Sequence, residues 1–224
     1  MAGFNKRSLV PTDNEIMATI LRTWAFRNLW FYNLVSKSTS LLVGGEQRFR
    51  KLALHGLLAD KSKKALDLCC GSGLASQVLC EEGYELTGLD CSPIAIQTAQ
   101  ATVPTGKFVL GRAEKLPLEA NQFDLVHTSM ALHEMTPAQV QKIYGEVYRV
   151  LKPGGIFTFI DFHKPSMLLL WPGLALFLWL FETETSWQWI EQKPPALLQQ
   201  QGFAIRKMQL HAGGSLQVIQ AEKP

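Results

Sequence analysis

The sequence predicts an α/β domain in which helices cover both faces of an open, mostly parallel sheet that ends in an antiparallel hairpin. Three observations support this fold class. Short apolar runs alternate with helix-length segments from Ala65 to Phe162, which is typical of a parallel sheet. Glycine, aspartate or proline stands at the boundaries between these segments. Two strand-like runs close the chain on either side of a glycine pair, which is typical of a hairpin.

The alternating region contains five predicted strands. Each is a short apolar run bounded by residues that favour turns. The strands cover residues 65–69, 86–89, 107–110, 123–128 and 156–162. Helices are predicted over 74–82, from Ser92 onward and over 137–151. Ser92 followed by Pro93 is a typical helix start, because serine caps free N–H groups and proline suits the first helical position.

The two ends of the chain differ from this pattern. Residues 1–60 are predicted to form a helical extension or lid, in which Asp13 can cap the first helix. Residues 61–224 are predicted to form the main domain. Its last two runs, 203–210 and 216–222, are the predicted hairpin.

The overall composition excludes several classes of protein. Hydrophobic residues make up 47% and charged residues 18% of the 224 residues, which excludes a disordered chain. A net charge of +3, without a run of lysine or arginine, argues against a nucleic-acid partner. The charged N-terminus has no apolar run behind it, so no secretory signal is predicted and a cytoplasmic location is expected.

The four cysteines, Cys69, Cys70, Cys80 and Cys91, lack the spacing of a metal site. Adjacent side chains on a strand point to opposite faces, which is poor geometry for chelation. We interpret the cysteines as small buried fillers in a reducing compartment and expect no metal.

A glycine-rich turn follows the first predicted strand. Gly71 and Gly73 let the backbone approach a ligand, and the next helix begins with free N–H groups that favour an anion. Asp90 ends the second strand, where a carboxylate can bind both hydroxyls of a ribose; alternatively, it caps the helix that begins at Ser92. Many nucleotide-binding folds share such a turn. A nicotinamide-dependent enzyme is disfavoured because Ser76 stands where its third glycine is expected.

Four ordered motifs resemble those of class I S-adenosylmethionine (SAM)-dependent methyltransferases. They occupy residues 65–73, 86–93, 111–117 with 121–126, and 148–155. The resemblance implies a Rossmann-like sheet of seven strands, SAM as cofactor and methyl transfer as the reaction. It also implies a set of cofactor-binding residues, namely Asp67, Cys69, Gly71, Gly73, Asp90, Cys91, Ala113, Glu114 and Ser129.

Within that family the sequence is most similar to the ubiquinone and menaquinone C-methyltransferases. Residues 161–165 and 210–224 carry this similarity, which implies a demethylated prenyl quinol as the methyl acceptor. Two residues depart from the family pattern. Cys69 stands where glycine or alanine is usual and narrows the pocket. Arg112 replaces an aspartate or asparagine and cannot accept a hydrogen bond from adenine, so we expect it to be solvated or paired with a carboxylate.

The loops after the fourth and fifth strands offer candidate bases for the acceptor. A base beside an acceptor hydroxyl would raise its nucleophilicity, and His133, Glu134, Asp161 and His163 lie in these loops. His133 and Asp161 are the predicted catalytic residues. The alternative for His133 is a structural hydrogen bond to nearby backbone.

An apolar run over 167–181 contains no charged residue. It is shorter than the about 20 residues of a bilayer span. We interpret it as a lid that contacts a lipophilic acceptor or makes a peripheral contact with a membrane surface. A buried cover over the core is the alternative.

Three functions are compatible with these features. The first is methyl transfer to a lipophilic ring such as a prenyl quinol. The second is methyl transfer to another small molecule, such as a sterol, a polyketide or a hydroxylated acid. The third is a binding or assembly module that keeps the SAM fold without catalysis, since no single residue is indispensable for methyl transfer.

Overall fold

The computed structural model describes residues 43–57, 62–165 and 184–224, together with Pro172 and Ala175. The helices predicted before residue 43 lie outside these residues, and so does the apolar run over 167–181 apart from Pro172 and Ala175. None of the helices in the described ranges has the length and hydropathy that a membrane span requires.

A seven-stranded mixed sheet forms the centre of the molecule. Its strands are β1 Lys64–Leu68, β2 Glu85–Asp90, β3 Lys107–Leu110, β4 Phe123–Ser129, β5 Leu151–Phe162, β6 Ala204–His211 and β7 Leu216–Glu222. The spatial order is β3-β2-β1-β4-β5-β7-β6. The first five strands pair in parallel, and β7 pairs antiparallel with both β5 and β6. The predicted fold class, a mostly parallel sheet with a C-terminal hairpin, is confirmed.

Six α-helices lie within the described residues. They are α1 Glu46–Leu52, α2 Leu74–Glu81, α3 Pro93–Thr102, α4 Pro137–Val150, α5 Glu184–Ile190 and α6 Pro194–Gln200. Two short 3₁₀ helices cover Leu132–Glu134 and Ala212–Gly214. The predicted start of α3 is confirmed, because the Ser92 side chain accepts a hydrogen bond from the Ala95 N–H and Pro93 follows it. Thr136 and Gln139 form a reciprocal capping box at the start of α4.

Helices cover both faces of the sheet because successive strand residues point to opposite sides. One core cluster joins Leu66 of β1 to the apolar stripe of α4 and to Trp189 of α5. A second cluster joins Ala65, the neighbour of Leu66, to Val78 and Leu79 of α2. The result is a three-layer arrangement of helices, sheet and helices.

The first described helix, α1, packs on the same face as α2 through the residue that follows it. Ala53 is fully buried, and its carbonyl oxygen accepts hydrogen bonds from Thr158 Oγ1 at 2.7 Å and Gln220 Nε2 at 2.9 Å. The described part of the predicted extension therefore packs directly on the main sheet. The boundary at residue 60 stays a prediction.

Two parts of the fold differ from the sequence prediction. Strand β5 begins at Leu151 rather than at residue 156, because Leu151 pairs with Phe123 before the register shifts and Ile156 resumes pairing with Leu125. The intervening residues form a long bulge in β5. Helices α5 and α6 were not predicted. Each has seven residues, which is too short to show a clear helical period.

Candidate active site

The predicted site residues lie around the carboxyl ends of four neighbouring strands. Cys69 follows β1, Asp90 ends β2, Ser129 ends β4 and Asp161 is the penultimate residue of β5. From β1 the chain adds β2 and then β3 on one side of the sheet. It then adds β4 and β5 on the other side, so the strand order reverses at β1. Ligands of open α/β sheets bind at such a switch point.

The glycine-rich turn is packed at one glycine and open at the other. Gly73 has φ +81°, and a Cβ on it would lie 2.9 Å from Ala99 Cα, so only glycine lets α2 and α3 approach this closely. Gly71 has φ +53°, and a Cβ there would meet no atom of the described residues within 4 Å. The turn therefore presents an open backbone face at Gly71.

Asp90 fixes this turn to the end of β2. Its Oδ2 accepts a hydrogen bond from the Gly71 N–H at 2.9 Å, and its Oδ1 accepts one from the Ser92 N–H at 2.9 Å. A carboxylate offers about four lone-pair positions, so both oxygens can still accept hydroxyl hydrogens. Ser92, and not Asp90, is the cap of α3. The alternative that Asp90 caps this helix is therefore wrong, although its carboxylate accepts the Ser92 N–H and keeps acceptor capacity for a ligand.

Asp67 lies behind the turn. It is 1% exposed, its Oδ2 accepts the Ser76 hydroxyl at 2.6 Å, and its Oδ1 lies 3.0 Å from His127 Nδ1. The sequence prediction placed Asp67 among the residues that bind the cofactor. In the structure the buried carboxylate holds β1, α2 and β4 together, and its role toward the cofactor stays a prediction.

Cys69 and Met130 share an unusual backbone conformation. They follow the adjacent strands β1 and β4, with φ of 58° and 53°. Residues other than glycine rarely adopt this region, and such strain is concentrated at functional sites. Burial, followed by the nearby Asp90 carboxylate, raises the pKa of the Cys69 thiol, so it stays uncharged at neutral pH.

The interpretation of the cysteines as buried fillers holds for only one of the four. Cys70 is buried, Cys69 and Cys80 are partly buried, and Cys91 is exposed. All four are free thiols. The prediction was wrong for Cys91 because this residue follows β2 directly and turns outward at the strand end.

The loop after β3 contains the predicted adenine-side residues. Ala113 is buried, and the Glu114 carboxylate binds Arg112 at 3.0 Å and Gln139 Nε2 at 2.7 Å. Burial would raise the pKa of Glu114, but hydrogen bonds from Arg112, its own backbone and Gln139 outweigh it, so the pKa is lowered. The expectation that Arg112 pairs with a carboxylate is confirmed.

His133 and Asp161 form a buried pair between β4 and β5. Asp161 Oδ1 lies 2.6 Å from His133 Nδ1 and also accepts the Phe162 N–H, while Oδ2 accepts the N–H groups of Leu132 and His133. His133 is 3% exposed, and its ring centroid lies 4.6 Å from that of Phe162. Because a carboxylate only accepts hydrogen bonds, Nδ1 carries the hydrogen in this pair.

Asp161 is occupied by protein partners. Its two oxygens accept four hydrogen bonds inside the protein and it is fully buried, which is the arrangement of a residue that orients His133, and its catalytic role stays a prediction. Of the other two candidates, His163 Nδ1 donates to the Gly214 carbonyl oxygen at 2.8 Å, away from this pair. Glu134 is exposed.

Sequence reasoning missed two residues near these networks. His127 was read only as part of an apolar strand, although it stands directly beside Asp67 in the register of β1 and β4. Tyr144 of α4 is 1% exposed, and burial, followed by the charge of Asp161, raises the pKa of its hydroxyl. A polar residue inside an apolar strand was the signal that could have identified His127. Among the described residues, no group of three His, Cys, Asp or Glu side chains could hold a metal ion.

A glycine-rich turn after β1 with a carboxylate at the end of β2 defines a nucleotide-binding α/β fold. A family profile described as a methyltransferase domain matches residues 65–155. An uncharacterized methyltransferase of Synechocystis sp. is 54% identical over 205 residues, which cover 92% of this chain and 97% of that protein. The chain therefore belongs to the class I SAM-dependent methyltransferases, and SAM is its cofactor.

More distant proteins share the fold and part of the sequence. A demethylmenaquinone methyltransferase of Renibacterium salmoninarum is 29% identical over 126 residues, which cover 56% of this chain and 52% of that protein. This chain thus matches about half the length of that relative. The solved structure of a SAM-dependent methyltransferase from Methanosarcina mazei superimposes with a TM-score of 0.59 at 24% identity, covering 74% of this chain and 94% of that one.

Proposed function

We propose that this enzyme methylates a small lipophilic ring acceptor, such as a demethylated prenyl quinol, at the carboxyl ends of β4 and β5. The observation that carries the proposal is the pair formed by His133 Nδ1 and Asp161 Oδ1 at 2.6 Å. A histidine oriented in this way is typical of a general base for a hydroxyl group. The name of the distant demethylmenaquinone methyltransferase supports a quinol as the substrate class.

The cofactor is proposed to lie on the glycine-rich turn. The residues present fit it, because Gly71 leaves an open backbone face and Asp90 is partly exposed with acceptor capacity for two ribose hydroxyls. The other residues proposed to border it stand at the neighbouring strand ends and in the loop after β3. They are Cys69, Gly73, Cys91, Ala113, Glu114 and Ser129.

When bound, SAM supplies an electrophilic methyl group that is transferred by direct displacement. The chain's own residues orient the two reactants and take a proton. Asp90 would hold the ribose hydroxyls while it also holds the turn through the Gly71 N–H. With Nδ1 held by Asp161, Nε2 is the ring nitrogen proposed to take the proton of an acceptor hydroxyl when the acceptor binds, and Asp161 would stabilise the charge that develops on the ring.

The surroundings of His133 support an apolar ring as the acceptor. Phe162 packs against the histidine ring, and Trp189 lies fully buried on α5 with its indole N–H bound to the Phe162 carbonyl oxygen at 2.9 Å. Removing water from this region strengthens the hydrogen bond between His133 and Asp161. The peripheral membrane contact of 167–181 stays a prediction, and vesicle flotation tests it.

The acceptor class and the base are tested together by tritiated-methyl transfer. The substrates are a demethylated prenyl quinol, a sterol, a polyketide and a hydroxylated acid. We expect transfer to the quinol, and we expect His133→Phe to lower kcat by about 10²- to 10⁴-fold, the usual contribution of a general base. Binding of S-adenosylhomocysteine to H133F serves as the control and should stay near that of the parent enzyme.

Two results would contradict this proposal in different ways. If H133F keeps a rate within about threefold of the parent enzyme, below the usual contribution of a base, His133 is not the base. If the quinol is inert while another compound in the panel is methylated, the proposed acceptor class is wrong. The proposed role of His133 and Asp161 is not contradicted by that result.

A further inference from the structure

We propose that His127 is a positioning residue for cofactor binding, which acts on the glycine-rich turn through the buried carboxylate of Asp67. His127 does not border the open face of the turn. The proposal rests on the placement of the cofactor on that turn, proposed above. It assigns a role to a strand residue that takes no part in the proton transfer proposed for His133.

The register of the sheet brings His127 and Asp67 together. The two residues pair directly in the parallel ladder of β1 and β4, and both point to the face covered by α2. His127 Nδ1 lies 3.0 Å from Asp67 Oδ1, and the Ser76 hydroxyl of α2 donates to Asp67 Oδ2 at 2.6 Å. All three residues are at most 1% exposed.

These contacts lie on the buried side of the turn and involve residues just before and just after it. Asp67 stands two residues before Cys69, where the turn begins, and Ser76 stands three residues after Gly73, where it ends. The carboxylate therefore joins the two ends of the turn, while His127 holds the carboxylate from the neighbouring strand. A buried carboxylate that loses one of its donors moves, admits water or takes up a proton. Each of these weakens the link between the two ends of the turn, in which the Gly71 N–H is held by Asp90 on the open side.

The hydrogen-bonding pattern of His127 is one-sided. Since a carboxylate only accepts, Nδ1 is the donor, and Nε2 is buried without a hydrogen-bond partner in the described part of the chain. The useful atom is therefore the donor at the Nδ1 position. Asparagine can place an amide N–H near that position, whereas leucine has similar bulk and no donor. His127→Asn and His127→Leu are thus a matched pair.

The experiment measures the Kd of S-adenosylhomocysteine by calorimetry, at a temperature at which each variant is fully folded by circular dichroism. We expect H127L to weaken binding about tenfold, equivalent to about 1.4 kcal/mol, and H127N to stay within about threefold of the parent enzyme. Amide hydrogen exchange over residues 69–73 should be faster in H127L than in H127N.

A histidine that only stabilises the fold would lower the melting temperature of H127L and leave the Kd of the folded protein unchanged, which would overturn the proposal. Equal weakening in H127N and H127L would also overturn it, because the donor would then be irrelevant. If H127L does not fold, Ser76→Ala removes the other donor to Asp67 and should weaken binding several-fold; unchanged affinity would contradict the proposal. Asp90→Ala tests the placement of the cofactor separately, since unchanged affinity there refutes that placement itself.

Discussion

The two glycines of the turn after β1 predict opposite phenotypes for the same substitution. Gly73→Ala places a Cβ 2.9 Å from Ala99 Cα and 3.1 Å from Ala99 Cβ, and these backbone-proximal atoms of α3 cannot swing away. Overpacking of this kind costs about 1–3 kcal/mol. A left-handed φ adds about 1–2 kcal/mol for a residue that carries a Cβ.

Gly71→Ala carries only the cost of the left-handed φ and not that of overpacking. Its φ is +53°, and within the described part of the chain no atom lies within 4 Å of the added Cβ. The two variants should therefore differ in unfolding free energy by about 1–3 kcal/mol. For a chain of this size that is a difference of roughly 2–12 °C in melting temperature, with G73A the less stable.

For cofactor binding we expect the opposite order, in which G71A is the more affected variant. The added methyl of G71A projects into the open face where the cofactor is proposed to lie, so we expect a Kd for S-adenosylhomocysteine about tenfold or more above that of the parent enzyme, equivalent to about 1.4 kcal/mol. Urea unfolding and calorimetry measure the two quantities. The reasoning is refuted if G71A is as unstable as G73A, or if G71A binds as tightly as the parent enzyme.

Three further predictions concern residues away from the turn. Iodoacetamide should alkylate exposed Cys91 before Cys70, because burial raises the pKa of the Cys70 thiol; mass spectrometry of tryptic peptides checks the order. The hydrogen bond from Arg149 holds the pKa of Glu146 below its ordinary value of 4.5. The ionised Glu146 therefore stabilises the folded protein above pH 4.5, and this contribution is lost as the pH falls through the lowered pKa. Glu146→Gln should therefore flatten the acid limb of unfolding free energy against pH, and an unchanged limb would contradict this. Trp189→Phe removes an indole N–H bond of 2.9 Å and part of a fully buried ring, so urea unfolding should show a loss of about 1–3 kcal/mol, whereas a neutral result would show that the site repacks.

The sheet could be predicted because its signals are local. Each strand of the parallel region is a short apolar run ended by a turn residue, and the hairpin is marked by Gly213 and Gly214. The start of β5 could not be predicted in this way. Leu151 becomes a strand residue only through its pairing with Phe123, and the bulge that follows depends on the neighbouring strand.

The roles of the site residues were harder to predict than their positions. Asp67 and Asp161 were both expected near the ligand, and the fold does bring them to the strand ends. Whether a carboxylate meets ligand or protein depends on partners distant in sequence. For Asp67 that partner is His127, 60 residues away, and for Asp161 it is His133, 28 residues away. No local pattern marks such pairs.

Three carboxylates at the carboxyl ends of the strands differ in their burial and in their hydrogen-bond partners. Asp67 and Asp161 are almost fully buried and each binds a histidine, whereas Asp90 is partly exposed and binds only backbone N–H groups. Burial commits the first two to protein partners, because an unpaired buried charge is costly. Of these three carboxylates only Asp90 keeps acceptor capacity toward solvent, which is why we proposed it for the ribose hydroxyls. Because the proposed base, His133, is held by a different carboxylate, we expect variants at Asp90 and His133 to alter Kd and kcat independently.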